Sequence, residues 1–291
     1  MNLIYGTPSE FSTSLKFEAS WDYCISYCYQ MSTCLAAYYQ EEFPEICEIF
    51  EIGNLAKIQK LNAYSGKFMA VKTTSPSECS VSSNDSLMSG TVSTESTWQN
   101  YSIQVSPDFW IIDSSPFFKC PENFKLWQRT KGLWCMGVVP TGEITRLDAQ
   151  KMCAENFQGV LSGFDSDFEH TSAIKAAVPL VPKSTPYKYY GYYMDGERKT
   201  NCRYLNQTGP DCNGNKGFLF SDRFVTTYDH YLWGFDNQPN GMSDNLGTSN
   251  CVAMRVNSKD GAGLDDLPCN GSTSTIFMNG FICGFPPNFE I

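Results

Sequence analysis

Two stretches of the sequence could do chemistry. WGFDNQPNGMSDN, residues 233–245, gathers the amides of Asn237, Gln238, Asn240 and Asn245 with the carboxylates of Asp236 and Asp244, and holds no basic side chain to pair with those acids. Some twenty residues further on, Asp265 and Asp266 stand side by side. Oxygen donors in such density suit a hard cation, and calcium takes roughly six to eight of them. The EF-hand arrangement fails. With Asp236 at its first position the third is Gln238, Pro239 intrudes, and the twelfth is Gly247 instead of a bidentate glutamate. The competing reading is ordinary turn chemistry, because Asn, Asp, Gly and Pro are what surface loops use.

Catalysis is not expected. The chain has 2 histidines. His170 follows Glu169 in a helical stretch, where an exposed position is expected, and His230 lies in a tyrosine-rich loop. No GxSxG, HExxH or P-loop pattern occurs. Asp265 and Asp266 do not form an acid–base pair, because adjacent residues of a strand point to opposite faces.

The rest of the composition sets the context. A chain of 291 residues, 42% hydrophobic and 14% aromatic, folds and buries a sizeable core. A formal charge of −10 argues against nucleic acid or an anionic membrane as partner. No apolar run approaches a membrane span. MNLIYGTPSE lacks the n- and h-regions of a signal peptide and reads as a processed start. The 13 cysteines without CxxC pairs suit disulfides in an oxidising compartment. Sequons at Asn84, Asn100, Asn206 and Asn270 agree, and the expectation is a secreted glycoprotein.

The elements that would position these residues fall into two parts. In the first, Ser20 caps a helix through WDYCISYCYQ, with Cys24 and Cys28 one turn apart. CLAAYYQ (34–40), ICEIFEIG (46–53) and GKFMAVK (66–72) read as strands. The spacing of Cys24, Cys28, Cys34 and Cys47 lacks the paired CxxC knuckles and histidines of a zinc site. With LIYG before it and FMAVK after it, this cysteine order resembles the CW-type PAN/apple-like module of roundworm secreted proteins. The resemblance implies a binding module without catalysis, with bridges Cys24–Cys47 and Cys28–Cys34. Residues 73–106 are nearly half Ser or Thr and read as a flexible linker, although WQNYSIQV alternates enough for a strand lying against the domain that follows. Cys79 makes the cysteine total odd, which points to a free or intermolecular thiol and a possible disulfide-linked oligomer.

From Cys120 the pattern changes again. CPENFKLWQRTKGLWC places Cys120 and Cys135 to close a hairpin. TRLDAQKMCAENF is a helix capped by Thr145, with Leu147, Ala149, Met152 and Cys153 as its apolar face and Gly159 as its stop. A second helix starts at Ser166 and ends before Pro179. A long loop-rich excursion follows, of the kind that usually carries function. CVAMRV, LDDLPC and GFICG then read as strands. Together with LSG (161–163), YYMDG (192–196), FLFSD (218–222) and WGFDNQPN, these landmarks resemble the long form of the C-type lectin-like domain.

That gives an α+β fold class: a small disulfide-rich PAN/apple-like domain (1–73), a Ser/Thr-rich linker (74–116) and a C-type lectin-like domain with a long loop region (117–291). The resemblance implies bridges Cys153–Cys283 and Cys251–Cys269, with Cys202–Cys212 added across the excursion. It also implies a calcium ion held between a loop with a cis proline, here Gln238-Pro239-Asn240, and a strand pair, here Asp265-Asp266. A sugar bound there by vicinal hydroxyls would touch Gln238, Asn240, Asp265 and Asp266. The chain departs from the pattern at Leu264, where tryptophan is usual, and at Ser249, where an acidic ligand is usual; Asp244 is the candidate substitute. The QPN triplet matches neither the mannose-type EPN nor the galactose-type QPD. The expected function is recognition of glycans or glycoproteins, as in innate immunity, with calcium-independent protein binding as the alternative.

Overall fold

The computed structural model describes residues 1–73, 88–115, 117–203, 209–234, 238–241, 243–244, 247–257 and 262–290. The chain forms two compact units, Met1–Lys119 with Asn288–Ile291, and Cys120–Pro287. Among the described residues it is mostly strand, with three α-helices. No helix among them is long and apolar enough to cross a membrane.

The first unit runs β1 (Asn2–Phe11), β2 (Leu15–Glu18), α1 (Trp21–Gln30), β3 (Cys34–Gln40), β4 (Ile46–Glu51), β5 (Leu55–Lys60), β6 (Lys67–Val71), β7 (Met88–Ser93), β8 (Thr97–Val105), β9 (Phe109–Ser114) and β10 (Phe117–Lys119). Residues Asn288–Glu290 complete its sheet against β10. Ser20 caps α1 by accepting from the Tyr23 N–H, which satisfies one of the donors that a helix start leaves open. Cys24 and Cys28 lie fully buried on the inner face of α1. They bridge to Cys47 in β4 and to Cys34 at the start of β3. Ala37 and Ile49 pack beneath them, so covalent pins supplement a core too small to hold the helix alone.

The linker expectation needs correction. Where residues 74–116 are described they carry β7, β8 and β9 in the first unit's own sheet, with β9 paired to β5. WQNYSIQV is a strand of that sheet. Gln99, Tyr101 and Ile103 alternate into the core that contains Ile58 and Met69. Period-2 burial outweighs Ser/Thr content here, and threonine suits a pleated, half-buried surface. Cys79 and Asn84 lie outside the described residues.

The second unit comprises β11 (Phe124–Arg129), β12 (Gly132–Pro140), α2 (Arg146–Phe157), β13 (Val160–Leu161), α3 (Asp167–Ala177), β14 (Tyr189–Arg198), β15 (Phe218–Leu219), β16 (Ser243–Asp244), β17 (Gly247–Val256), β18 (Ala262–Pro268) and β19 (Ile276–Phe285), with β20 the returning strand Asn288–Glu290 of the first unit. Its sheet runs β11-β12-β19-β14-β17-β16, with β18 on β17 and β14 parallel to β19. The two faces bury different clusters. Tyr193, Ala253 and Phe281 pack with Ala149 and Cys153 of α2. Tyr192, Met194, Val252 and Leu264 pack with Ala173 and Ala177 of α3 and with aromatics of the long excursion. Being covered on both sides explains why β14 is buried almost throughout instead of alternating.

Thr145 and Ser166 cap α2 and α3 as their spacing predicts. Two details differ. Leu147 is 73% exposed, so the apolar stripe of α2 is narrower than the sequence suggests. Gln158, in the left-handed region at φ 55°, ends α2. Gly159 serves close packing instead: a Cβ there would sit 2.6 Å from the Gly284 carbonyl, beside the Cys153–Cys283 bridge. The remaining bridges are Cys120–Cys135, Cys202–Cys212 and Cys251–Cys269.

Candidate functional site

The long excursion between β14 and β17 is seated on two buried polar nodes. At the first, the Arg129 guanidinium at the end of β11 donates to both carboxylate oxygens of Glu169 in α3 (2.9 and 2.8 Å), to Asp222 (3.0 Å) and to the Gly163 carbonyl (2.8 Å). Burial acts to lower its pKa, but Glu169 and Asp222 outweigh that and hold it above its ordinary value. At the second, the buried Asp195 carboxylate accepts from the Ser221 and Asp222 N–H groups, the Ser221 hydroxyl and the Tyr228 hydroxyl. Desolvation pushes its pKa up, against those hydrogen bonds. Phe220 stacks on Tyr228 at 3.7 Å between ring centroids, and the half-buried Trp233 indole donates to Asn215. Strand, helix and loop are thereby joined by contacts between residues far apart in sequence, which leaves the loop surface little freedom at its base.

Above these nodes the Gln238–Pro239 peptide is cis, as the resemblance implies. The loop it shapes is held by Asp266 of β18. One Asp266 oxygen accepts from the Asn240 N–H at 2.8 Å; the other accepts from the Gly241 N–H at 2.8 Å and from Arg198 Nη2 at 2.6 Å. Arg198, the last residue of β14, also donates through Nε to the Ser249 carbonyl (3.2 Å) and lies 4.7 Å over the Phe218 ring. The Arg198 and Asp266 side chains are 6% and 0% exposed. Ser249, where an acidic ligand was expected, thus contributes its backbone oxygen to a guanidinium.

Asp265 is not part of this cluster. The pleat turns it to the α2 side of the sheet, where it pairs with Arg255 at 2.6 Å. Its other oxygen is buried without a hydrogen-bond partner among the described residues, and burial pushes its carboxyl up to about 6. Gln238 and Asn240 are half-buried, and the Gln238 side-chain oxygen accepts from the Asn240 N–H within the loop. Asp244 sits in β16 with its side chain outside what is described. Asp236, Asn237 and Asn245 lie outside the described residues. The structure brings Asp266 to the Gln238–Gly241 loop and leaves Asp265 on the opposite face.

Among the described residues, the donor set does not fit the calcium ion that the resemblance implies. Both Asp266 oxygens are already engaged, one by a fixed cation whose charge would repel a second. The neutral amides of Gln238 and Asn240 fall far short of the roughly six oxygens a calcium needs. Among the described residues no group of three or more acidic, imidazole or thiol side chains could hold a metal.

Two residues of this site escaped the sequence reading, Arg129 and Arg198. Each ends a strand of largely apolar character, and a charge in that position needs a buried counter-ion. His170 was expected at the surface and is instead 4% exposed, stacked 5.0 Å from Phe164; burial lowers its pKa.

Comparison with known families agrees with this layout. A PAN-like domain model matches residues 1–73. The model of C-type lectin domain-containing protein 141/158 matches residues 126–286, more than half of the chain. The chain belongs to that C-type lectin family. Solved structures similar to it include the C-type lectin domain of murine dendritic cell inhibitory receptor 2 in complex with N-glycan, at 14% identity and a TM-score of 0.36, covering 58% of this chain and 99% of that one. Human lithostathine matches at 15% identity and a TM-score of 0.37, covering 58% and 91%. The mouse scavenger receptor C-type lectin carbohydrate-recognition domain matches at 16% identity and 0.34, covering 58% and 98%. No curated protein matches. C-type lectin domains are in general non-enzymatic binding modules.

Proposed function

We propose that this C-type lectin family member is a secreted, non-catalytic binding protein that recognises its ligand through the loop surface of the second unit without calcium. The observation that supports this most is the closed ion pair of Asp266 with Arg198, which occupies the carboxylate a sugar-bridging ion would need. Six disulfide bridges and the exposed sequon residues Asn100 and Asn270 support an extracellular setting. A protein surface, glycosylated or not, is the favoured ligand. Leu219 and Leu232 of the excursion are 61% and 50% exposed, and apolar side chains there suit a protein contact better than a polar glycan.

Direct sugar recognition is the second reading, favoured by the half-exposed amides of Gln238 and Asn240, which are able to hydrogen-bond hydroxyls without an ion. A glycan array probed in millimolar calcium and again in chelator tests the proposal. The expected result is the same pattern in both buffers, whether empty or not. A glycan retained only in calcium would overturn it.

A further inference from the structure

We infer that Arg198 takes the place of the ion that the resemblance implies: its guanidinium holds the Gln238-Pro239-Asn240 loop on β18 by fixing the Asp266 carboxylate that grips the loop's backbone. The inference deepens the ion-free reading of this site and rests on it. The loop's Asn240 and Gly241 N–H groups both point at Asp266, one on each oxygen. The carboxylate that accepts both is fully buried. Left alone there, it would be costly. Arg198 supplies the compensating charge from the far side of the same carboxylate.

The guanidinium is itself immobilised. Its Nε is tied to the Ser249 carbonyl in β17, and its carbon lies 4.7 Å over the Phe218 ring. Arg198 therefore links three segments (the end of β14, the start of β17 and the loop before β16) through one carboxylate on β18. A bound dication would have to tie the loop to that strand, and the tethered cation does so without depending on calcium concentration. Arg198 is a positioning residue: it shapes the ligand surface from beneath and presents little of itself to solvent.

Amide hydrogen exchange at Asn240 and Gly241 in the intact, ligand-free protein reads the latch directly. In the wild type these two amides should exchange at equal rates in calcium and in chelator. Arg198→Gln should raise both rates at least tenfold while the Val252 amide in β17 keeps its protection. Asp266→Asn, which also weakens the acceptor of both amides, should raise the rates at least as far, and the double variant should go no further than Asp266→Asn, because Arg198 acts on the loop through that carboxylate. Arg198→Lys keeps the charge but loses the fork that also reaches Ser249, so its rates should fall between the two. Where Arg198→Gln does not fold, Arg198→Lys carries the comparison. Unchanged rates at Asn240 and Gly241 in the Arg198 variants, or slower exchange of the wild type in calcium, would overturn the inference. Because no ligand is present, a failure here is distinct from a failure on the glycan array.

Discussion

Replacing Arg129 by Met should unseat the base of the long excursion. The substitution keeps an unbranched apolar stem and removes the cation from between two carboxylates, Glu169 and Asp222, that are 2% and 0% exposed. Breaking one buried pair by removing a partner costs about 3–5 kcal/mol. The loss is cushioned here, because Glu169 still accepts from the Asp165 N–H and Asp222 from Ser162 and Gly163. The second carboxylate works the other way, and so does the Gly163 carbonyl, which keeps only the Ser162 hydroxyl that it shares with Asp222. A net loss of about 4–6 kcal/mol is expected. At about 2–4 °C per kcal/mol for a unit of this size, the calorimetric transition of the second unit should fall by roughly 10–20 °C. Adding Glu169→Gln and Asp222→Asn to the variant removes the orphaned charges and should restore more than half of the loss. A fall smaller than about 1 kcal/mol, or a triple variant no more stable than Arg129→Met, would refute the view that a charge node holds the loops.

Three other outcomes are expected. In 10 mM calcium a site with a dissociation constant near 1 mM would stabilise by about 1.4 kcal/mol, or about 3–5 °C; thermal scans of this protein in calcium and in chelator should agree within about 1 °C, and a rise of that larger size would show an ion site after all. His170 is held neutral by burial, its pKa lowered against a smaller opposing effect of Asp167; its contribution is therefore intact above pH 6.5 and lost as pH falls below it. His170→Gln should flatten the decline in melting temperature between pH 7 and pH 5, and identical slopes for variant and wild type would exclude the role. Made in a secretory host, the protein should carry glycans at the exposed Asn100 and Asn270; glycosidase-sensitive mass at neither residue would count against secretion.

The elements were legible wherever the signal was local. Ser20, Thr145 and Ser166 mark helix starts because a cap acts across three residues. CLAAYYQ is a strand with the bounds its pattern suggests. The segment after residue 73 misled because composition was weighed over period: its Ser and Thr are compatible with a strand, and the buried alternation of Gln99, Tyr101 and Ile103 was the better guide. His170 misled for a similar reason. A histidine beside a glutamate looks solvated, yet Glu169 is itself buried by an arginine forty positions away.

For the site, one error was avoidable and one was not. The pleat rule that separates Asp265 from Asp266 as an acid–base pair separates them equally as ligands of one ion, and each does have its own arginine on its own face of the sheet. Asp266 meets the Gln238-Pro239-Asn240 loop by accepting from the Asn240 N–H. What neutralises it was not legible, since Arg198 lies 68 positions upstream, at the end of a strand whose register with β17 only the folded sheet reveals. Yet the physics narrows the choice. A buried carboxylate must meet a cation, take up a proton or be very well hydrogen-bonded. In a chain with a net charge of −10 the arginines are few enough to ask of each what it neutralises. A buried arginine closing a strand, as in YYMDGER, has to set its charge against an acid elsewhere in the fold. A lectin-like loop with a complete set of acidic residues is therefore evidence for calcium only after such arginines have been assigned elsewhere.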